Sequence, residues 1–358
     1  MKAGLIIEDT ATEIVRQDQV KQDYIFDTAR LEMVAYSTGL VLRLLDEHGG
    51  DSAEPLDLNE IAHRQIGTYL SIPAKYYDRM LHSNPELLAR NVNSWFQRES
   101  APRMVRTLDG VTRAFLSNSY RRIDHLPVTQ AVLPVVGEIQ DVEFVSSQVT
   151  QTRMYLKVLN PHMEAEVSPG DSIQAGIVIS NSEVGQGAFC VSPMIYRQRS
   201  HCGFLITDAQ IRKIHKGRAN VIDANHLLLS ERTLSSYDCT FLQNIQQTVR
   251  DAAVDEVWFQ RVAQRLRDAV GARMSTQDIP GVVSHASNEF GITETESTGV
   301  LNHLMEGSDF TLYGLSNAVA RQSQDVESYD RATDLEGIGY EMLTMSSQQW
   351  DRINQSAA

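Results

Sequence analysis

The 358-residue chain is 42% hydrophobic and 22% charged, and its 46 acidic against 32 basic side chains give a formal charge of −14. That composition suits a large buried core in one or two domains and excludes a largely disordered chain. No apolar run approaches the roughly 20 residues of a bilayer-spanning helix, the start of the chain shows no cleavage signal, and the three cysteines (Cys190, Cys202, Cys239) cannot all pair, so the expectation is a soluble protein of a reducing cytoplasm.

In chain order, residues 1–22 are polar and read as a loose N-terminal arm, and 23–46 mix strand and helix signals without resolving. Leu58, Ile61, Ala62 and Ile66 fall at helical spacing, Ser71-Ile72-Pro73 interrupts, and Tyr76, Tyr77, Met80, Leu81 and then Leu87, Leu88, Val92 and Trp95 follow, so 23–97 is expected to be mainly helical. Residues 98–220 read as an α+β core. Asp109-Gly110 between 105–108 and 112–116 predicts a tight hairpin. A helix carrying Pro134 is expected over 125–139, then four strands at 142–149, 153–159, 172–180 and 188–197, separated by turn signals at Asn160-Pro161, Pro169-Gly170 and 185–187. From 221 to 358 the pattern is helical again: Phe241, Ile245, Val249, Ala252, Val254, Trp258, Val262 and Leu266 mark a long amphipathic helix, and further helices are expected over 281–290, 296–306 and 311–347. The fold class is therefore α+β: a β-hairpin, a helix and an antiparallel β-meander, flanked by N-terminal and C-terminal helical regions.

Charge is segregated along this frame. Residues 193–218 hold Arg197, Arg199, Arg212, Lys213, Lys216 and Arg218 against Asp208 alone, and 98–122 hold six arginines against Glu99 and Asp109, which leaves −23 on the rest of the chain. Such windows aim a local positive field at a phosphate backbone. Pairing with acids in the same chain is the equal alternative. The candidate nucleic-acid contacts are Arg121, Arg122, Arg197, Arg199, Arg212, Lys213, Lys216 and Arg218, with Tyr120 and Tyr196 as stacking partners; both tyrosines lie in patterned segments, where a core role competes.

Several stretches carry a resemblance. I-P-A-K-Y-Y-D-R-M-L (72–81), P-E-L-L-A-R-N-V-N-S-W-F (85–96), R-T-L-D-G-V-T-R-A-F-L-S-N-S-Y-R-R-I-D (106–124), N-S-E-V-G (181–185) and L-Y-G-L-S-N-A-V-A-R-Q-S-Q-D-V-E-S-Y-D-R-A-T-D-L-E (312–336) together resemble the phage- and plasmid-related family called domain of unknown function 932, over roughly 55–345. Where that family's pattern has Arg, two residues, Cys, one residue and Asn-Gly, this chain has Arg197, Ser200, Cys202 and Gly203. The resemblance implies a mobile genetic element in a bacterial host. More distantly, the order of elements is similar to phage single-strand annealing proteins of the Red-beta and RecT type, which implies single-stranded DNA as partner and a homo-oligomeric ring or filament.

Other chemistry finds little support. His201, Cys202 and His215 suit zinc by type, but no fourth ligand and no C-x-x-C pair accompanies them, and Cys202 lacks the partners of a nucleophile. No phosphate-binding G-x-x-x-x-G-K-[ST] loop occurs. Helices around 61–81 read as packing helices rather than a helix-turn-helix with Lys75 and Tyr76 in a groove, and Asn181–Gly185 as a hairpin turn rather than a cation loop. The acids Glu294, Glu296, Glu306, Asp309, Asp325, Glu327, Asp330, Asp334, Glu336 and Glu341 form a solvated face or a docking surface for a host protein. The expectation is a non-enzymatic binder of single-stranded DNA, without cofactor or metal; the alternative is an interaction factor that meets a host defence or replication protein through that acidic surface.

Overall fold

The structure, a computed structural model, describes residues 1–355 apart from 38, 47, 53, 188, 207–241 and 252–255. Helix α1 (Ile7–Val20) is followed by β1 (Gln22–Asp27), β2 (Leu31–Tyr36), β3 (Gly39–Leu44) and β4 (Leu56–Leu58), then by α2 (Glu60–Tyr69), α3 (Ala74–Ser83) and α4 (Pro85–Arg98). Local chemistry starts α2 and α4: Asn59 accepts a hydrogen bond from Ala62 N and Asn84 from Leu87 N, with Pro85 in the first turn, where its missing N–H is no loss. The hairpin of β5 (Pro102–Leu108) and β6 (Val111–Ser117) turns at Asp109 and Gly110, with φ of 51° and 78°, as a primed turn requires.

These strands form one six-stranded sheet in the order β1-β5-β6-β4-β3-β2, antiparallel except at the short β4–β6 pair. Its Leu31, Met33, Leu42, Val105 and Phe115 pack with Ile66, Tyr77, Leu88, Val92 and Phe96 of the three helices. Asn93 of α4 closes the β2 edge: its Oδ1 accepts from Met33 N at 2.7 Å and its Nδ2 donates to Met33 O at 2.9 Å.

After α5 (His125–Val136), strands β7 (Glu143–Val149), β8 (Met154–Ser168), β9 (Asp171–Asn181), β10 (Cys190–Arg197) and β11 (Cys202–Leu205) pair as an antiparallel meander in sequence order. Met154, Leu156, Val158, Ile177 and Ile179 pack with Ile14 of α1, Val128 and Val132 of α5, and Ile245 and Val249 of helix α6 over 242–251. Ile173, Ala175, Ile195 and Phe204 pack instead with the C-terminal helices α7 (Glu256–Gly271), α8 (Ile279–Glu289), α9 (Glu294–Gly307), α10 (Leu312–Gln322), α11 (Tyr329–Leu343) and α12 (Ser347–Gln355).

The α+β class and the order hairpin, helix, meander hold, with helices before and after. Four local readings change. Residues 7–20 are a helix rather than a loose arm: its Thr10 and Ile14 are buried, and Thr10 Oγ1 lies 2.7 Å from Ser147 Oγ on β7. Residues 23–46, left open by their sequence signals, are mainly strands, so 23–97 adds four strands to its three helices, and the hairpin pairs with β1 and β4 in this sheet, apart from the meander. Asn160-Pro161 is no turn; β8 runs through it with a register shift between Asn160 and Glu164, which accommodates the proline's missing N–H. The single helix expected over 311–347 is broken, because the Ser328 side chain accepts from Arg331 N and starts α11 anew.

Candidate nucleic-acid interface

Strand β9 separates the two basic windows. Arg197 pairs opposite Ile173, while Asn181, eight residues further along β9, donates to Ile123 O beside the second window. At about 3.3 Å per residue the windows stand about 26 Å apart, so their arginines do not converge on one spot. Arg197 is largely buried, with its Nε and one terminal nitrogen donating to Asp171 at 2.6 and 2.7 Å; Asp171 also accepts from the Tyr313 hydroxyl at 2.9 Å. Arg199 is exposed in the β10–β11 turn. Arg121 is half-buried, and Arg122 is exposed with a long 3.4 Å contact to Asp23. Tyr120 packs beside Met104, Leu116 and Val184 and donates to Ser182 O, and Tyr196 hydrogen-bonds His201, so both rings are held within the fold. Arg212, Lys213, Lys216 and Arg218 lie outside the described residues, as do His215 and Cys239.

Much of the 98–122 window is turned inward. Arg106 is fully buried and donates to Asp23 at 2.7 and 3.0 Å, to Asp124 at 2.7 Å and to Glu183 O at 2.9 Å. Arg113, 8% exposed, meets the Glu183 carboxylate, 3% exposed, at 2.5 Å, and the other oxygen of Glu183 accepts from His125 N at 2.6 Å. Lys21 joins from the end of α1 at 2.8 Å from Asp124, and Asn181 Nδ2 donates to His125 Nδ1 at 3.0 Å. Burial alone would raise the Glu183 carboxyl, but His125 and Arg113 outweigh it and hold it below its ordinary value. Burial pushes the His125 imidazole down to about 4, against the pull of Glu183. Asn181–Gly185 is thus the connector between β9 and β10 that delivers one carboxylate into the joint between the two sheets. For Arg106 and Arg113 pairing within the chain has won, and a strand inaccessible to solvent offers nothing to a phosphate.

Exposed aromatic and basic side chains also stand on α3 and α4. Tyr76-Tyr77 and Trp95-Phe96 are adjacent aromatic pairs on amphipathic helices, and successive residues lie about 100° apart, so one of each pair must leave the core. Tyr77 and Phe96 are buried; Tyr76 and Trp95 are 49% and 39% exposed. The Arg98 guanidinium sits over the Trp95 ring at 5.9 Å. Lys75, Arg79 and Arg90 are exposed on the same helices without an acidic partner among the described residues, while Asp78 is engaged by Arg64 at 3.0 Å. The packing role read for 61–81 holds, with Ile61, Ile66, Tyr77 and Met80 buried; each doubled aromatic was the signal that one ring of the pair stands outside.

The C-terminal acids divide: Glu294, Glu306, Asp325, Glu327, Asp334 and Glu341 are exposed, while three others are engaged within the fold. Glu336 is fully buried against Lys157 at 2.6 Å, Asp330 accepts from the Thr150 and Thr152 hydroxyls, and Glu296 is held down to about 2 by its hydrogen bonds from Arg331. Among the described residues no group of three His, Cys, Asp or Glu converges as a metal site does, and no helix is long and apolar enough to cross a membrane. No family model, curated protein or solved structure matches the chain.

Proposed function

We propose that the protein binds single-stranded nucleic acid, with α3 and α4 as its stacking surface. The observation that carries this is Trp95 on α4, an exposed indole with Arg98 over its ring; exposed Tyr76, Lys75 and Arg79 on α3 and Arg90 on α4, the three cations without an acidic partner among the described residues, share the same two helices. Bases stack on aromatic faces whatever their sequence, and cations alongside follow the backbone, so this combination suits a strand held without base-edge readout. Glu86 and Glu99 share these helices and moderate the field, which favours binding at low salt. Arg122 and Arg199 are exposed on other parts of the fold, and Arg212, Lys213, Lys216 and Arg218 lie outside the described residues.

The resemblance to domain of unknown function 932 supplies the setting, a mobile element in a bacterial host, and the hairpin-helix-meander order is compatible with an annealing protein. In that reading the chain works as a homo-oligomer, because repeated modules on one strand gain affinity through effective concentration that a single weak module lacks. The test is a fluorescence titration with an unstructured oligonucleotide. Binding should quench tryptophan emission and weaken steeply with salt; Trp95→Ala should cost about 1–3 kcal/mol, about 5- to 150-fold in Kd. A folded Trp95→Ala chain that binds DNA like the wild type removes the proposal.

A further inference from the structure

The edge of a sheet presents unpaired N–H and C=O groups to any strand that can reach them. Among the described residues three of the four edges here are managed: Asn93 closes β2, Leu5 N donates to Ser147 O at 2.7 Å along β7, and β11 is four residues long and packs on α10 and α11. Strand β1 is different. It pairs with β5 alone among the described residues, and Ile25 in its middle is 60% exposed.

The β1–β5 ladder determines which backbone groups face outward. Thr28 N donates to Ala101 O at 3.0 Å, one step beyond the Asp27–Pro102 pair in the same register, so Gln22, Tyr24 and Phe26 direct their N–H and C=O groups toward β5. Asp23, Ile25 and Asp27 turn theirs to the free edge, at the alternate spacing that an incoming antiparallel strand requires. The side chains of these three stand on one face of the sheet, while Tyr24 and Phe26 join the core under α2, α3 and α4 on the other.

We propose that β1 pairs with β1 of a second copy of this chain, antiparallel about a two-fold axis at Ile25. Each Ile25 then meets the other, and Tyr24 lies opposite the partner's Phe26. Charge favours this register. Asp23 falls opposite the partner's Asp27, a repulsive pair taken alone. Arg122 stands at that point, 56% exposed and only 3.4 Å from Asp23, whose two oxygens already accept from Arg106. Asp27 uses Oδ1 for Ala29 N and the Ser100 hydroxyl, and its Oδ2 has no partner among the described residues. Arg122 and the partner's Asp27 therefore complete each other, once on each side of the axis. A two-fold pairing closes on itself, so the product is a dimer; a six-residue strand pair lies at the small end of specific interfaces, and a Kd in the micromolar range or weaker is expected. The dimer needs no nucleic acid and does not rest on the stacking surface of α3 and α4.

The experiment is analytical sedimentation of the full chain, without nucleic acid, from low micromolar to a few hundred micromolar protein. A monomer–dimer equilibrium is expected. Ile25→Lys places a charge on the exposed edge, and Ile25→Pro removes an N–H that β5 does not use; each should raise the dimer Kd at least tenfold and leave the fold intact. Arg122→Glu should weaken the dimer, and adding Asp27→Lys should restore it. Ile25→Cys should cross-link two copies on oxidation with diamide, whereas Met305→Cys, similarly exposed on α9, should not. A chain that stays monomeric throughout, or a dimer that Ile25→Lys and Ile25→Pro leave unchanged, overturns the proposal. Trp95→Ala should leave the dimer intact while weakening DNA binding, so the two readings fail separately.

Discussion

His125 tests the buried network between the two sheets most directly. Its ring accepts from Asn181 Nδ2 at 3.0 Å, a bond that requires Nδ1 to be unprotonated, and burial holds its proton affinity down to about 4 against 6.5 for a free imidazole. The unfolded chain therefore binds the proton more tightly. Stability gained from a neutral His125 is complete above pH 6.5 and is lost as pH falls toward 4. Between pH 6.5 and pH 5 only the unfolded ring is charged; at about 1.4 kcal/mol per pH unit the share of His125 is about 2 kcal/mol. Around it, Asp124 and Glu183 sit below their ordinary values and stay ionised over this interval, and, against the effect of burial, Lys21 and Arg106 are raised by these acids and remain charged. His63, also pushed down to about 4 by burial, contributes in the same direction and must be subtracted. Urea unfolding at pH 7 and pH 5 of the wild type and His125→Gln makes that subtraction, since both keep His63. The variant should lose about 2 kcal/mol less than the wild type over the interval. Equal losses in the two proteins refute a neutral, buried His125.

Three further outcomes follow from other buried partners. Glu183→Gln leaves Arg113 facing a neutral amide and should destabilise by about 3–5 kcal/mol, read as a lower urea midpoint. Lys157→Met should cost a similar amount because Glu336 is then buried alone, whereas Lys157→Met with Glu336→Leu should recover most of it, a comparison that thermal unfolding resolves. Asn93→Ala removes both hydrogen bonds to Met33, should cost about 1–3 kcal/mol, and should raise light scattering on warming as the β2 edge opens.

Elements with a short-range cause were legible from the residues alone. Asp109-Gly110 determines a hairpin because only such residues accept positive φ at both turn positions, and the meander strands alternate between turn formers. The C-terminal helices announce themselves through apolar spacing, and Thr293 with Glu296 forms a capping box within four residues. What the sequence could not determine was which strands share a sheet and which way an arginine faces. Strands β1 to β3 are short, and pairing of β1 with β5 spans some eighty residues, a contact that no local period encodes. Arg106 and Arg122 carry the same charge within one window, yet one is sealed among Asp23, Asp124 and Glu183 and the other meets solvent. Their difference is made by acids that lie far away in sequence and close only once the two sheets dock. The candidate stacking surface sits between these cases: doubled aromatics require that one ring of each pair leave the core, and the packing of α3 and α4 on the first sheet decided that Tyr76 and Trp95 are the ones outside.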